Sequence, residues 1–172
     1  MAASGRSPRQ QEILDAARDL LVREGVEALS LGRIAGALGI KPPSLYKHFA
    51  SKRALEAQLI ADGLRSFAAA LETAGPELAG IAEAYRAFAL ENPQLYRLMT
   101  ERPLPRDELP HGLEARAAAP ILAALGDADL ARGAWAFAHG MVALELAARF
   151  PEGADLPAAW SKGISAFTAA AA

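Results

Sequence analysis

The stretch Ser30–Leu55, SLGRIAGALGIKPPSLYKHFASKRAL, decides how this chain is read. Ser30 is a favourable N-cap, because its hydroxyl can accept a hydrogen bond from a backbone N–H that a first helical turn leaves orphaned. Leu31, Ile34, Ala35 and Leu38 then share one helical face, and Gly39 is a natural stop. Proline at the next opening, Pro42-Pro43, starts a short helix, since its missing N–H would be unpaired there anyway. Ser51 caps a longer helix that begins near Lys52 and carries Leu55, Leu59, Ile60 and Leu64. Two short helices joined by four residues centred on Gly39 have helix-turn-helix geometry, in which the second helix enters a DNA major groove. Ile34, Ala35, Leu38, Ile40, Leu45 and Phe49 supply a small core. Lys41, Pro43, Ser44, Tyr46, Lys47 and His48 remain for the outer side, as cationic, stacking and hydrogen-bonding groups suited to phosphates and base edges. Ser30 and Lys52 stand at helix N-termini, which attract phosphate. A plainer reading of the same residues is also open, with the serines as caps and the basic residues as a solvated face.

Upstream, Ile13, Ala16, Ala17, Leu20 and Leu21 form one apolar stripe on a helix from about Pro8 to Glu24, stopped by Gly25. Residues 1–7 are small and polar and are expected to be disordered. Downstream, Gly and Pro divide the chain into a helix from about Pro76 to Glu91 and a short one after Asn92-Pro93. A Pro-rich loop covers 101–110. Further helices run from about Leu113 to Leu125, from an Asp127 cap to about Arg149, and from an Asp155 cap to the end. β-branched residues are scarce and Ala is abundant. The fold class is therefore all-α with about nine helices, divided into an N-terminal domain over 8–54 and a second domain over 55–172.

Charge is uneven. The whole chain carries −2. Residues 1–55 hold nine Lys/Arg against five Asp/Glu, leaving +4 there and −6 in the remainder. A basic third joined to an acidic remainder fits one end for phosphate and another for something else. The absence of Cys excludes a disulfide framework and thiolate metal sites. His48, His111 and His139 are far apart, so no metal site is expected. No run of eighteen apolar residues exists, and the N-terminus has no apolar signal core, so a cytoplasmic protein is expected. No Gly-rich phosphate loop, nucleophile elbow or His-Glu-x-x-His pattern is present, so neither an enzyme nor a cofactor is expected.

The stretch from Ser30 to Leu55, with Ile13, Ala16, Ala17, Leu20 and Gly25 before it, resembles the DNA-binding signature of the TetR (tetracycline-repressor-like) family over roughly residues 8–56. The resemblance implies a three-helix DNA-binding domain, a long linking helix, and a helical effector-binding and dimerisation domain. Carried over by position, Lys41, Pro43, Ser44, Tyr46, Lys47 and His48 would be recognition contacts. Ser30 and Lys52 would touch backbone phosphate, and Arg33 is a further candidate contact. The second half resembles a TetR C-terminal domain type named for a Trp, His and Gly signature, here Trp135, His139 and Gly140. Ala84-Tyr85-Arg86 and Asn92-Pro93-Gln94-Leu95-Tyr96 precede it in the expected order. The partners implied are a double-stranded DNA operator, a second copy of the chain, and a small-molecule effector.

Read on their own, Trp135 and His139 lie at i, i+4 on one helix. Gly140 inside that helix costs on the order of 1 kcal/mol relative to Ala, which points to a close approach by a neighbour or a ligand. Tyr85, Phe88, Tyr96, Met99, Trp135, Phe137, His139 and Met141 together could line an apolar pocket, or simply be core. The Asp127–Arg149 helix is apolar around most of its circumference and so needs cover on two sides. One side can be the core and the other a two-fold partner. A DNA-binding module with no effector is the competing reading.

Overall fold

The computed structural model describes residues 5–171. Among them are eight α-helices and two short 3₁₀ helices, with no strand, as the all-α expectation requires. The order is α1 (Pro8–Glu24), a 3₁₀ turn (Val26–Ala28), α2 (Leu31–Ala37), a 3₁₀ helix (Pro42–Lys47), α3 (Lys52–Thr73), α4 (Leu78–Glu91), α5 (Pro93–Thr100), α6 (Leu113–Leu125), α7 (Ala128–Leu146) and α8 (Leu156–Ala170). The expected caps are in place. Ser30 accepts from the Arg33 N–H and Ser51 from the Ala54 N–H. Asp127 accepts from the N–H groups of Asp129 and Leu130, and Asp155 from that of Ala158.

Residues 1–4 of the segment expected to be disordered lie outside the described residues. Arg6 and Ser7 of that segment make side-chain contacts. Ser7 and Gln10 close a capping box at the start of α1. Arg6 makes a two-pronged pair with Asp62, both contacts at 2.8 Å, and donates to Gln58 at 2.9 Å.

The chain forms two compact units. The first comprises residues up to Gly63 together with Gln94–Pro110. The second comprises Leu64–Pro93 and the residues from His111 onward. This differs from the sequence division after residue 54: the first turns of α3, most of α5 and the Pro-rich loop pack with the helix-turn-helix.

In the first unit, Ile13, Leu14, Ala17, Leu20 and Leu21 of α1 are buried with Ile34 and Ala35 of α2, Leu45, Phe49, and Leu55 and Leu59 of α3. Leu38 and Ile40, expected in this core, are half-buried. The turn after α2 is a Schellman motif. The Ile40 N–H bonds to the Ala35 carbonyl at 3.0 Å and the Gly39 N–H to that of Gly36 at 3.1 Å. Gly39 takes φ +65°, which glycine adopts without strain. α3 and α5 meet closely, since a Cβ at Gly63 would stand 2.6 Å from Met99 Sδ.

In the second unit α7 is central, packing against α4, α6 and α8. Its buried face is Ala134, Ala138, Met141 and Val142. Phe67 meets Tyr85 and Phe88 edge-on at 5.1 and 5.2 Å, contacts worth about 0.5–1.5 kcal/mol each beyond the area they bury. α7 and α8 interlock through two glycine–phenylalanine pairs. Phe137 lies over Gly163, where an added Cβ would meet ring atom Cε2 at 2.6 Å, and Phe167 lies 3.1 Å from the Cβ position of Gly133. Phe137 also meets Trp160 edge-on at 5.7 Å.

Gly163→Ala forces the Phe137 ring aside. The overpacking, about 1–3 kcal/mol, outweighs the roughly 1 kcal/mol gained in helix propensity. Thermal unfolding is expected to fall by about 2–6 °C; an unchanged or raised midpoint would contradict this packing.

Candidate nucleic-acid interface

A six-residue 3₁₀ helix repeats every three residues, so its side chains stack in ridges. Leu45 is fully buried and Phe49 nearly so. This turns Lys41, Pro43, Tyr46 and Lys47 outward, all exposed, while Ser44 and His48 are half-buried. Tyr46 is 57% exposed, so it is not part of the core. The segment was expected as an ordinary short helix. The two prolines, which give no N–H, and the Ser44 N–H bond to the Lys41 carbonyl at 2.9 Å tighten it to 3₁₀.

The basic side chains separate by what they touch. Arg9 pairs with Glu12, Arg18 with Asp15 and Asp62, and Arg33 with Glu24 at 2.6 Å. Lys52 pairs with Glu56 at 3.3 Å. Arg53 holds Asp107 in a two-pronged pair and stands 3.5 Å from Glu108. Among the described residues Arg23 reaches only a backbone carbonyl, that of Asp19. Lys41 and Lys47, both on the outward side of the recognition segment, have no carboxylate partner among the described residues. Counted over the first compact unit, twelve Lys/Arg face ten Asp/Glu, a net +2. Of the cations in residues 1–55 left without an acid partner, Lys41 and Lys47 share the outward side of the 3₁₀ helix, and Arg23 lies at the end of α1.

Other expected contacts sit differently. The Ser30 hydroxyl is engaged in its cap. The Arg33 guanidinium is engaged with Glu24. His48 lines an open polar cleft of about 340 Å³ with Arg6, Gln10, Gln58 and Glu108, among others. The His48 carbonyl accepts from Gln10 Nε2 at 3.3 Å.

The eight residues expected around an apolar pocket are divided between the two units. Tyr96 and Met99 belong to the first unit, and the other six to the second. Tyr85, Phe88 and Met141 are buried. Phe137 is covered by Trp160 and Phe167. Trp135 is 51% exposed and stacks beside His139 at 6.2 Å, because the buried face of α7 runs through Ala134 and Ala138 instead. The close approach expected at Gly140 is absent, with nothing within 4 Å of its Cβ position. The second unit does hold an apolar void of about 10 Å³, bounded by Leu78, Ile81, Ala82, Tyr85, Ile121, Ala134, Ala138 and Ile164. That is room for one water-sized probe. No group of three His, Asp or Glu among the described residues is placed to hold a metal.

Sequence reasoning missed two charged clusters. Glu145 is half-buried on α7, its side chain only 7% exposed, and takes a two-pronged contact from Arg86, with Nη2 at 2.7 Å, and a hydrogen bond from Trp160 Nε1 at 2.6 Å. Arg86 also lies 6.0 Å from the Trp160 ring centre. The signal available was a single acid in the apolar run Trp135–Leu146, which must find a cation if it is buried. The second cluster is Arg53 with Asp107. Each holds the other in its charged form: the Arg53 pKa is raised and that of Asp107 lowered, mainly through their hydrogen bond.

Comparison with known proteins agrees with this geometry. Residues 13–59 match the model for bacterial regulatory proteins of the tetR family. Residues 78–167 match the one described as tetracyclin repressor-like, C-terminal domain. An uncharacterised HTH-type transcriptional regulator of Mycobacterium tuberculosis, Rv0681, is 32% identical over 152 residues, covering 80% of this chain and 70% of that protein. The HTH-type regulator YobS of Bacillus subtilis is 35% identical over 100 residues, and the chain spans about half its length, 52%. Among solved structures, SCO4313 superposes with a TM-score of 0.76 at 28% identity, covering 94% of this chain and 95% of that one. A TetR variant of Acinetobacter baumannii, solved in complex with minocycline, shares the fold at a TM-score of 0.62 and 24% identity, with 92% and 93% covered. The chain belongs to the TetR family of bacterial transcriptional regulators.

Proposed function

We propose that this regulator is a cytoplasmic repressor that binds a near-palindromic operator as a homodimer and is released by a small apolar effector. The observation that carries the DNA reading is the recognition segment itself. Leu45 anchors it, Tyr46 faces outward, and Lys41 and Lys47 stay unneutralised while most neighbouring cations are paired. Lys41, Pro43, Ser44, Tyr46, Lys47 and His48 then address the major groove, and Ser30, Arg33 and Lys52 the backbone.

The dimer reading rests on the outer face of α7. Trp135 and Leu144 are exposed large apolar side chains. Ala136 and Ala143 beside them are exposed, as are Ser165, Ala166 and Ala169 on α8. The open space over Gly140 suits the close approach of a second helix. The effector reading rests on the apolar void around Tyr85. At about 10 Å³ it is far below the roughly 300–1,000 Å³ of a ligand pocket, so a ligand enters by parting the helices around it. A ligand acts on DNA binding only through its differential affinity for two states, and operator DNA must weaken the ligand by the same factor. α3, with residues in both compact units, is the connecting element.

Selection from a random duplex pool at low salt is expected to return one near-palindromic sequence; a pool with no enrichment would overturn the DNA reading. On the selected site, Lys41→Ala and Lys47→Ala should each flatten the slope of log affinity against log salt by about 0.9 for every phosphate left without its cation.

Sedimentation at micromolar concentration is expected to show a dimer, and Trp135→Glu a folded monomer. A monomeric wild-type chain removes the assembly claim.

A screen of apolar and aromatic compounds, read by thermal shift and by loss of operator binding, is expected to yield compounds that do both. Ala138→Leu fills the void and should abolish both responses; a variant that keeps them would place the effector elsewhere.

A further inference from the structure

Arg53 follows Lys52 in the first turn of α3, six residues beyond Lys47 of the recognition segment. Unlike Lys41 and Lys47, it is occupied. Its two terminal nitrogens both hold Asp107, one at 3.0 Å, and one of them lies 3.5 Å from Glu108. These acids arrive from 54 residues away, on the loop between α5 and α6, and belong to the same compact unit. The loop is built to present them. Pro105 is buried, and the Glu108 N–H bonds back to its carbonyl at 2.8 Å, so residues 106 and 107 stand outward on a tight turn. Arg102 ties the start of the loop to Glu27 and stands 3.8 Å from Glu56.

The Arg53–Asp107 pair does not look like a device for stability. Both side chains are more than half exposed, and ion pairs in water are weak because solvent screens them and long side chains lose freedom. A carboxylate that takes a guanidinium with two parallel hydrogen bonds does, however, occupy the positions a phosphodiester would use.

We propose that Arg53 is a DNA-phosphate contact held in reserve, with Asp107 as its internal competitor, so that the 101–110 loop sets how many phosphates the regulator neutralises. This rests on the DNA reading above and deepens it. When the loop holds Arg53, the protein binds its operator through Lys41, Lys47 and Lys52 and their neighbours. When the loop lets go, one more cation per protomer reaches the backbone. Affinity and salt sensitivity rise together, and sequence preference does not change because phosphates carry no base identity.

The test is a cycle on the full-length chain, with affinity for the selected operator measured from 50 to 200 mM salt. The double variant Asp107→Asn with Glu108→Gln removes both acids without changing shape. It is expected to bind several-fold more tightly at 50 mM and to steepen the salt slope by roughly one per protomer. Each additional phosphate neutralised then costs the variant roughly three- to fourfold of its advantage between the two salt concentrations. Adding Arg53→Ala should erase most of the gain and restore the shallower slope. Arg53→Ala should cost far less in the wild-type chain than in the double variant. Thermal midpoints of all four proteins show that each is folded. An equal gain with and without Arg53 would mean the acids merely repel DNA, and no gain would mean the pair is inert; either result overturns the proposal. If the wild-type chain selects no duplex at all, the failure lies in the DNA reading itself, and this proposal falls with it.

Discussion

A 3₁₀ helix of six residues cannot stand by itself. Its hydrogen bonds are poorly aligned, and Pro42 and Pro43 donate none. What holds Pro42–Lys47 in one orientation is Leu45, inserted into the core of α1, α2 and α3 with no residual exposure. Burying one such side chain contributes about 1.5–3 kcal/mol, comparable with the whole conformational cost of fixing one or two residues. The Schellman turn at Gly39 precedes the segment and buried Phe49 follows it, so Pro43, Tyr46 and Lys47 are turned outward. The orientation of this segment is thus set from its apolar side.

The electrostatics of the first unit work by subtraction. A count along the sequence gives a modest positive excess, yet most of the arginines are absorbed by Glu12, Asp15, Glu24, Asp62 and Asp107. The unpaired lysines remain on the recognition segment. At physiological ionic strength fields fade within about 8 Å, so the placement of two lysines matters more to a DNA surface than the net charge of the chain.

Local features were legible in the sequence, and features set by packing were not. Ser30, Ser51, Asp127 and Asp155 cap helices because a cap is decided within four residues. The helix-turn-helix was legible because Gly39 and the prolines punctuate it, and the likeness to known signatures extended over the whole motif. The α7 stretch was ambiguous for a physical reason. A helix with apolar residues on every side does not say which side its neighbours choose. Ala134 and Ala138 let α4 and α6 come close, and Trp135 was turned out. Gly140 read as a point of close approach and proved open within one chain. The carboxylates at 107 and 145 find their arginines across 54 and 59 residues, and no periodicity records a contact of that range.

The interlocking of α7 and α8 has a consequence for how such sequences can drift. Phe137 lies flat only because Gly163 has no side chain, and Phe167 approaches α7 only where Gly133 leaves room. Each ring therefore fixes the identity of a residue on the opposite helix. A change to a larger residue at 163 costs less once 137 has become smaller, and a weaker dependence of the same kind joins 133 and 167. Among descendants of this chain the four positions should vary as two coupled pairs.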